Sequence, residues 1–370
     1  MSHEQDQTGE STVDFADKGD IHTYMAPAAP GTHRKQSMRG FSGEYVDIVD
    51  YIIRVTHRIW EEHDLAHLYD TYQHNVVIWT SEGLTYSRET VMANSARTQA
   101  AFPDIRLYAD DVIWAGNDID GFHTSHRVVW VGHNTGYTTY GPPTGRKIVR
   151  SGIANCVVRD NYIFYEWIAR DEMSLVLQLG FDPHAAAERL ARLEVSPTVG
   201  KPVTGEIERT RGQTTPAVMP PKDHSPFDPD DFIRRALHDI WNWRRLSAIA
   251  QYYDLNVVCH ASAGRELYGQ GDLRAFILSI MAAFSDVVLT VDHVYWNGNA
   301  HDGYRVATRW TLQGTHDGPG IYGDVSGARV RIMGISHHHI KGAKISEEWM
   351  VFDEFALLKQ ICRAKLQHGA

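Results

Sequence analysis

Two aspartates follow tryptophans at the same spacing. Trp167-Ile168-Ala169-Arg170-Asp171 precedes Glu172, and Trp349-Met350-Val351-Phe352-Asp353 precedes Glu354. On a strand, alternate side chains share a face, so Trp167, Ala169 and Asp171 point one way and Trp349, Val351 and Asp353 match them. An aspartate beside an indole and a small apolar side chain is poorly solvated. Desolvation raises a carboxyl pKa toward the range in which it exchanges protons with a carbon acid. That face is therefore expected to look into a cavity. An Asp ahead of an apolar helical run is also a common N-cap, and both aspartates stand before such runs, at Met173 and Phe355. The two roles can coexist.

Other side chains could assist. His316, beside Asp317, is expected either to bond Asp353 or a substrate oxygen, or to face solvent on its turn; His133 is a weaker candidate of the same kind. Arg127 and Arg309 lie within alternating stretches. Facing inward they would hold a carboxylate or enolate oxygen, and facing outward they are surface charges, the reading favoured here. Trp167, Trp349, Tyr86 and Tyr268 are expected partly as core and partly as pocket wall. His337-His338-His339 resembles a metal cluster, but strand alternation lets at most two of the three share an ion. Metal binding is not expected; His338 is the one assigned to a pocket and the others to the outer face.

These features occur twice because the chain is a duplication. The differences 349 − 167 and 353 − 171 both give 182. The same ungapped offset pairs Ala100-Ala101-Phe102 with Ala282-Ala283-Phe284, Trp114 with Trp296, Arg127 with Arg309, Tyr140-Gly141 with Tyr322-Gly323, and Gly152-Ile153 with Gly334-Ile335. A period this long lies far above that of solenoid repeats, so each copy should own a core.

Composition narrows the class. The chain has 370 residues, 43% hydrophobic and 11% aromatic, with a net charge of −10. An acidic surface offers no counter-charge to nucleic acid or anionic membrane. No apolar run reaches the roughly 18 residues of a membrane span. The 3 cysteines, Cys156, Cys259 and Cys362, form neither a disulfide framework nor a metal knuckle, and a reduced, cytoplasmic setting fits them. The first twenty residues lack a basic stretch and apolar core, so a signal peptide is not expected.

Residues 1–42 are read as a mobile arm, 43–182 as the first module, 183–229 as a short helix and Pro-rich linker, and 230–370 as the second module. Within module one, Val49, Ile52, Ile53, Thr56, Ile59 and Trp60 recur at helical spacing. A second helix is expected around Leu65–Tyr72, a short strand at 76–79, and a third helix from Ser87 to before Phe102. Four alternating strands follow, at 106–114, 122–131, 147–158 and 162–169. Helices first and hairpin-connected strands later imply α+β, with a strongly curved antiparallel sheet wrapped on helices in each module. The hollow between them is a usual small-molecule site.

The element order, the Gly-x-[His/Asn]-x-Gly turn, the Pro142-Pro143-Thr144-Gly145 loop and the closing Glu-Trp-x3-Asp-Glu-x2-Leu-x2-Gln resemble the SnoaL-like polyketide cyclases of the nuclear-transport-factor-two-like superfamily. The resemblance covers roughly 45–180 and 230–361. It implies two cone-shaped modules, no organic cofactor, and a late aspartate acting as general acid/base on a carbon next to carbonyls. By motif position that aspartate is Asp171 or Asp353. The turn reads Gly314-Thr315-His316-Asp317-Gly318 in copy two and places Asn134 opposite His316 in copy one. Copy two is therefore expected to be the active one. A small molecule is the expected partner, the two modules are expected to pair sheet to sheet as a pseudo-dimer, and a homodimer of the whole chain is left open. Cyclase, isomerase or dehydratase chemistry would fit; a non-catalytic ligand binder or scaffold with two degenerate pockets is the alternative.

Overall fold

The computed structural model describes residues 34–193, 216–221 and 226–368. In module one, Asp47 caps the first helix by accepting from the Asp50 amide at 2.8 Å. That helix, α1 (Ile48–Trp60), buries Ile48, Ile52, Val55 and Ile59 along one stripe. A short 3-10 turn and α2 (Leu68–Thr71) lead into β1 (Tyr72–Thr80) and β2 (Gly83–Tyr86), then α3 (Arg88–Ala101). Four long strands follow: β3 (Arg106–Asn117), β4 (Gly121–His133), β5 (Lys147–Arg159) and β6 (Tyr162–Arg170). Helices α4 (Glu172–Leu179) and α5 (Pro183–Ala191) close the module. Module two repeats the order as α6 (Pro229–Leu237), α7 (Ile249–Tyr252), β7 (Tyr253–Ala261), β8 (Arg265–Tyr268), α8 (Gly269–Ala283), β9 (Val288–Asn299), β10 (Gly303–Thr315), β11 (Arg329–Lys341), β12 (Lys344–Phe352) and α9 (Glu354–His368).

Each module holds a six-stranded open sheet, β2-β1-β6-β5-β4-β3 and β8-β7-β12-β11-β10-β9. The α+β class is as expected. The sheets are mixed, however: β1 runs parallel to β6 and β7 to β12, while the other neighbours are antiparallel. The early strand inserted among the helices returns beside the last strand, a long-range pairing that local periodicity does not reveal. The expected second helix shrinks to a turn because β1 begins at Tyr72, and β2 is an element that alternation had not marked.

Two boundaries move. Met38 and Phe41 are buried in the core of module one, with the Phe41 ring against Tyr51 and Phe122. Asp118 anchors the same stretch by accepting from Ser37 Oγ at 2.6 Å and the Arg39 amide at 2.8 Å. Residues 34–42 thus belong to the module and not to an arm; residues 1–33 lie outside the described residues. Helix α5, expected as a short helix outside both modules, packs with α4 and α9 through Ala186, Ala187, Phe355 and Leu358. Most of the Pro-rich stretch, at 194–215 and 222–225, is outside the described residues.

The modules meet sheet face to sheet face. Ile153 and Ala169 of one pack on Ile335 and Val351 of the other. The Arg127 guanidinium lies 3.6 Å from the centre of the Trp349 ring, and Arg309 lies 3.8 Å from that of Trp167. Asn297 bonds both backbone groups of Trp114, at 2.9 and 2.8 Å. A bulge between Ala109 and Asp111 turns two consecutive acids to this side. Asp110 pairs with Arg127 at 2.5 Å, and the buried Asp111 pairs with Arg305 at 2.7 Å and His337 at 3.4 Å.

Burial pushes the Asp111 carboxyl up, but His337, Arg305 and Arg127 together outweigh it and hold it well below the usual carboxylate range. A depressed native pKa means the unfolded chain takes up the proton first. This contribution to stability is present above the ordinary aspartate value of about 3.9 and drains away as pH falls below it. Asp111→Ala removes the acid that meets Arg305 and His337 across the modules and should cost about 1.5–3 kcal/mol, the scale for a hydrogen bond to a charged group. Urea unfolding at pH 7 checks this, and a loss below 1 kcal/mol would show that the pair is not holding the modules together.

Candidate active site

Module one encloses a cavity of about 160 Å³ between its helices and the inner sheet face. Ile52, Val55, Ile59, Leu107, Val128 and Trp130 supply apolar wall. Thr56, Thr80, Thr85, Ser95 and Thr98 add hydroxyls to the lining, and ionisable groups face it as well. Glu166 and Arg170 come from alternate positions of β6, with Ile168 between them; Tyr72 comes from the start of β1 and His126 from the middle of β4. Asn94 on α3 both lines the cavity and is exposed, so the cavity meets solvent beside that helix.

The Tyr72 hydroxyl donates to Glu166 Oε2 at 3.4 Å. Burial, only partly offset by Arg170 and this hydrogen bond, pushes the Glu166 carboxyl up to about 7. Burial also lowers the His126 imidazole to about 4, helped by the neighbouring His337, so this histidine is neutral near pH 7. The site therefore holds a carboxyl that shares its proton near neutrality, a neutral imidazole and a guanidinium. Such a set can take a proton from carbon and stabilise the resulting oxyanion.

The equivalent space in module two has shrunk to about 10 Å³. At the 182 offset, Asn94 becomes Phe276, Thr98 becomes Ile280, Val128 becomes Trp310, Ile168 becomes Met350 and Arg170 becomes Phe352. Phe276, Ile280, Trp310, Met350 and Phe352 all line the residual void. Gly334 makes room for the indole: a Cβ there would sit 2.2 Å from Trp310. Glu348 repeats Glu166, accepting from the Tyr253 hydroxyl at 2.9 Å and pushed up by burial to about 7, but it does not reach the void.

The residues singled out from sequence fall elsewhere. The Trp167 and Trp349 face looks outward into the module interface, and the inner face is Glu166-Ile168-Arg170 and its counterpart. The expected orientation was reversed because both faces of these strands are buried, one against helices and one against the other sheet, so apolar content does not distinguish them. Arg127 and Arg309 are accordingly interface residues, neither pocket groups nor surface charges.

Asp171 caps α4 and is buried at the interface, accepting from Ser174 N at 3.0 Å and, across the modules, from Ala263 N at 2.8 Å and Gly264 N at 3.2 Å. Asp353 accepts from Ala356 N at 2.8 Å and is the buried counterpart. His316 is not its partner. Its Nδ1 meets Ser326 Oγ at 2.9 Å, its ring lies against Phe284 and Tyr322, and it tethers the turn. Asn134 does the same work in module one, donating to Gly136 O at 2.8 Å and accepting from Thr144 N at 2.9 Å. The last glycine of each turn is obligatory: a Cβ on Gly136 would lie 2.0 Å from Ala100 O, and one on Gly318 would lie 1.7 Å from Ala282 O.

His133 is a surface residue paired with Asp104 at 2.6 Å. Tyr86 and Tyr268 are exposed. His338 faces the interior of module two, 3.7 Å from Glu348, and burial lowers it to about 3; His337 and His339 face the other way. Sequence reading missed Glu166, Tyr72, His126 and Arg170 as a set. The usable signal was the Glu-x-Ile-x-Arg of β6 against Glu-x-Met-x-Phe of β12, where a charge in one copy is replaced by an aromatic in the other.

A mixed sheet wrapped on helices with a cavity between them is the architecture of small-molecule-binding cone folds. The sequence profile of the SnoaL-like polyketide cyclase family matches residues 51–179 and 232–361, so the chain belongs to that family and carries it in tandem. Among curated proteins none matches the chain. Solved structures similar to it include a SnoaL-like protein of Jannaschia sp. CCS1, with 17% identity over 38% of this chain and 98% of that one at a TM-score of 0.34. TsrD from Streptomyces laurentii has 20% identity over 36% of this chain and 94% of its own, TM-score 0.32. IdmH from Streptomyces antibioticus has 20% identity over 36% and 99%, TM-score 0.32. Among the described residues no helix is long and apolar enough to cross a membrane.

Burial, with Glu172 adding like charge, raises the Asp353 carboxyl well above its ordinary value. A raised native pKa means the folded chain keeps the proton longer. The fold is then penalised progressively as pH climbs above about 3.9 toward the native value. Asp353→Asn removes that penalty while an amide oxygen still caps α9. Its stability relative to the parent should therefore increase with pH between 4 and 7. Melting temperatures across that range test this; a constant difference would place an ionised Asp353 in the fold throughout.

Proposed function

We propose that module one is the working half of the protein and that Glu166 is its general acid/base. The reaction is metal-free, cofactor-independent proton transfer on a small, largely apolar, carbonyl-bearing molecule. One observation carries the reading. The carboxyl poised near neutrality opens on a cavity in module one, whereas its counterpart Glu348 is sealed off beside a filled void. In the forward step Glu166 takes a proton from a carbon next to the carbonyl, and the electron pair moves onto the carbonyl oxygen. Arg170 faces the developing charge. Return of the proton to another atom completes an isomerisation; attack of the carbanion on a second carbonyl would complete a cyclisation. Asp171 and Asp353 serve as helix caps at the interface in this scheme.

A second reading is a ligand binder without turnover. It is favoured by the recurrence of the Tyr–Glu pair in module two, where no ligand-sized space accompanies it, which gives the pair a structural role as well.

Exchange of the α-hydrogens of acetophenone in D2O, followed by NMR, separates the two. Catalysed exchange should rise with pH through about 7 and level off above it, since the base must be deprotonated. Glu166→Gln should lower the rate by on the order of a hundredfold, and Asp353→Asn should leave it within twofold. Val128→Trp, which copies Trp310 of module two, should abolish it in a folded protein. Absence of catalysed exchange, with acetophenone bound equally by parent and Glu166→Gln, would establish the binder.

A further inference from the structure

The cavity of module one also specifies what fills it, if that cavity is the ligand site as proposed above. Its volume of about 160 Å³ is close to the roughly 150 Å³ of an apolar cavity that accommodates benzene. A multi-ring skeleton exceeds it. Ile52, Val55, Ile59, Leu107, Val128 and Trp130 give it apolar wall that suits the body of a single ring, among hydroxyl-bearing residues.

His126 sets the polarity of one ligand group. Its Nδ1 lies 3.4 Å from Thr56 Oγ1, and Thr56 donates its one hydroxyl hydrogen to Ile52 O at 2.7 Å. Thr56 therefore meets the imidazole only as an acceptor, which places the imidazole hydrogen on Nδ1. Nε2 is left with its lone pair. It is buried and has no hydrogen-bond partner among the described residues. Leaving a buried acceptor unsatisfied is costly, so the complementary ligand brings a hydrogen-bond donor to it.

Arg170 sets the other group. Its Nε has no hydrogen-bond partner among the described residues, and its guanidinium lies 5.0 Å from the centre of the Trp130 ring. The nearby Glu172 is already engaged, by Arg150 at 2.8 Å and the Tyr140 hydroxyl at 2.7 Å. Module two keeps the same strand with Phe352 at this position, so the fold does not need the charge. A planar guanidinium at the edge of an apolar cavity is matched by a carboxylate.

We infer that module one takes a single-ring carboxylic acid bearing a hydroxyl group, its carboxylate on Arg170 and its hydroxyl hydrogen on Nε2 of His126. Isothermal titration of the full chain at pH 7 tests this with 4-hydroxybenzoate, benzoate, phenol and 6-hydroxy-2-naphthoate. 4-Hydroxybenzoate should bind at least tenfold tighter than phenol and than benzoate, and the naphthoate should bind weakest of the hydroxy acids. Arg170→Met and Arg170→Gln, run together so that one folded variant suffices, should erase the advantage over phenol and leave phenol affinity unchanged. His126→Phe should erase the advantage over benzoate. Equal binding of phenol and 4-hydroxybenzoate, an unchanged ratio in the Arg170 variants, tighter binding of the naphthoate, or no binding of any probe each overturns the inference. Failure of the acid/base reading is distinct, since catalysed hydrogen exchange is then absent, or unchanged in Glu166→Gln, whatever these affinities are. Binding that survives Val128→Trp would move the ligand out of the cavity altogether.

Discussion

Arg127 over Trp349 and Arg309 over Trp167 form a reciprocal pair of contacts about the pseudo-two-fold axis that relates the modules. Each cation–π contact contributes about 0.5–2 kcal/mol, and around them Ile153, Ala169, Ile335 and Val351 are withdrawn from water. Once these outer faces are committed to each other, every long strand near the axis is buried on both sides. The inner face is then the only one left to build a site. Buried charge at the seam is compensated within the seam: Asp110 by Arg127, and Asp111 by Arg305, with the His337 ring 3.4 Å from the same carboxylate.

Duplication gives the two inner faces different fates. Both modules need the same outer face, so Trp, Arg and the small interface residues recur. The inner faces share no such requirement. Module two packs Trp310, Met350, Phe352 and Phe276 into the space and gains the dispersion and burial of a solid core. Module one keeps Val128, Ile168, Arg170 and Asn94 there and retains a void with polar groups in it. An unfilled cavity destabilises the module that contains it. The filled module is joined to it across the sheet faces and through α5 and α9. Asp171 accepting two amides from the β7–β8 turn ties the end of the β6 cavity wall directly to the neighbouring module.

The residues themselves determined a good deal. The 182-residue offset established two modules, and the order of helical and alternating stretches established α+β, because period and turn chemistry are local properties. Repetition also marked Trp167, Arg127, Asp171 and their partners as important. It did not separate structural from chemical importance, since a duplicated scaffold repeats its interface as faithfully as its site.

Only the tertiary structure decided which side of β6 is the inside. Strand alternation divides Glu166, Ile168 and Arg170 from Trp167 and Ala169, but a strand buried on both faces is apolar on both, so the pattern carries no sign. The pairing of Tyr72 with Glu166 spans a parallel contact between the first and last strands, and the approach of His126 to Thr56 joins β4 to α1. Neither has a signature in local spacing. Nor does the difference between an open and a filled cavity, which depends on the summed volumes of side chains from elements far apart in the chain. Which copy has room for a ligand is therefore a fact of packing, on which the histidine turn carries no information.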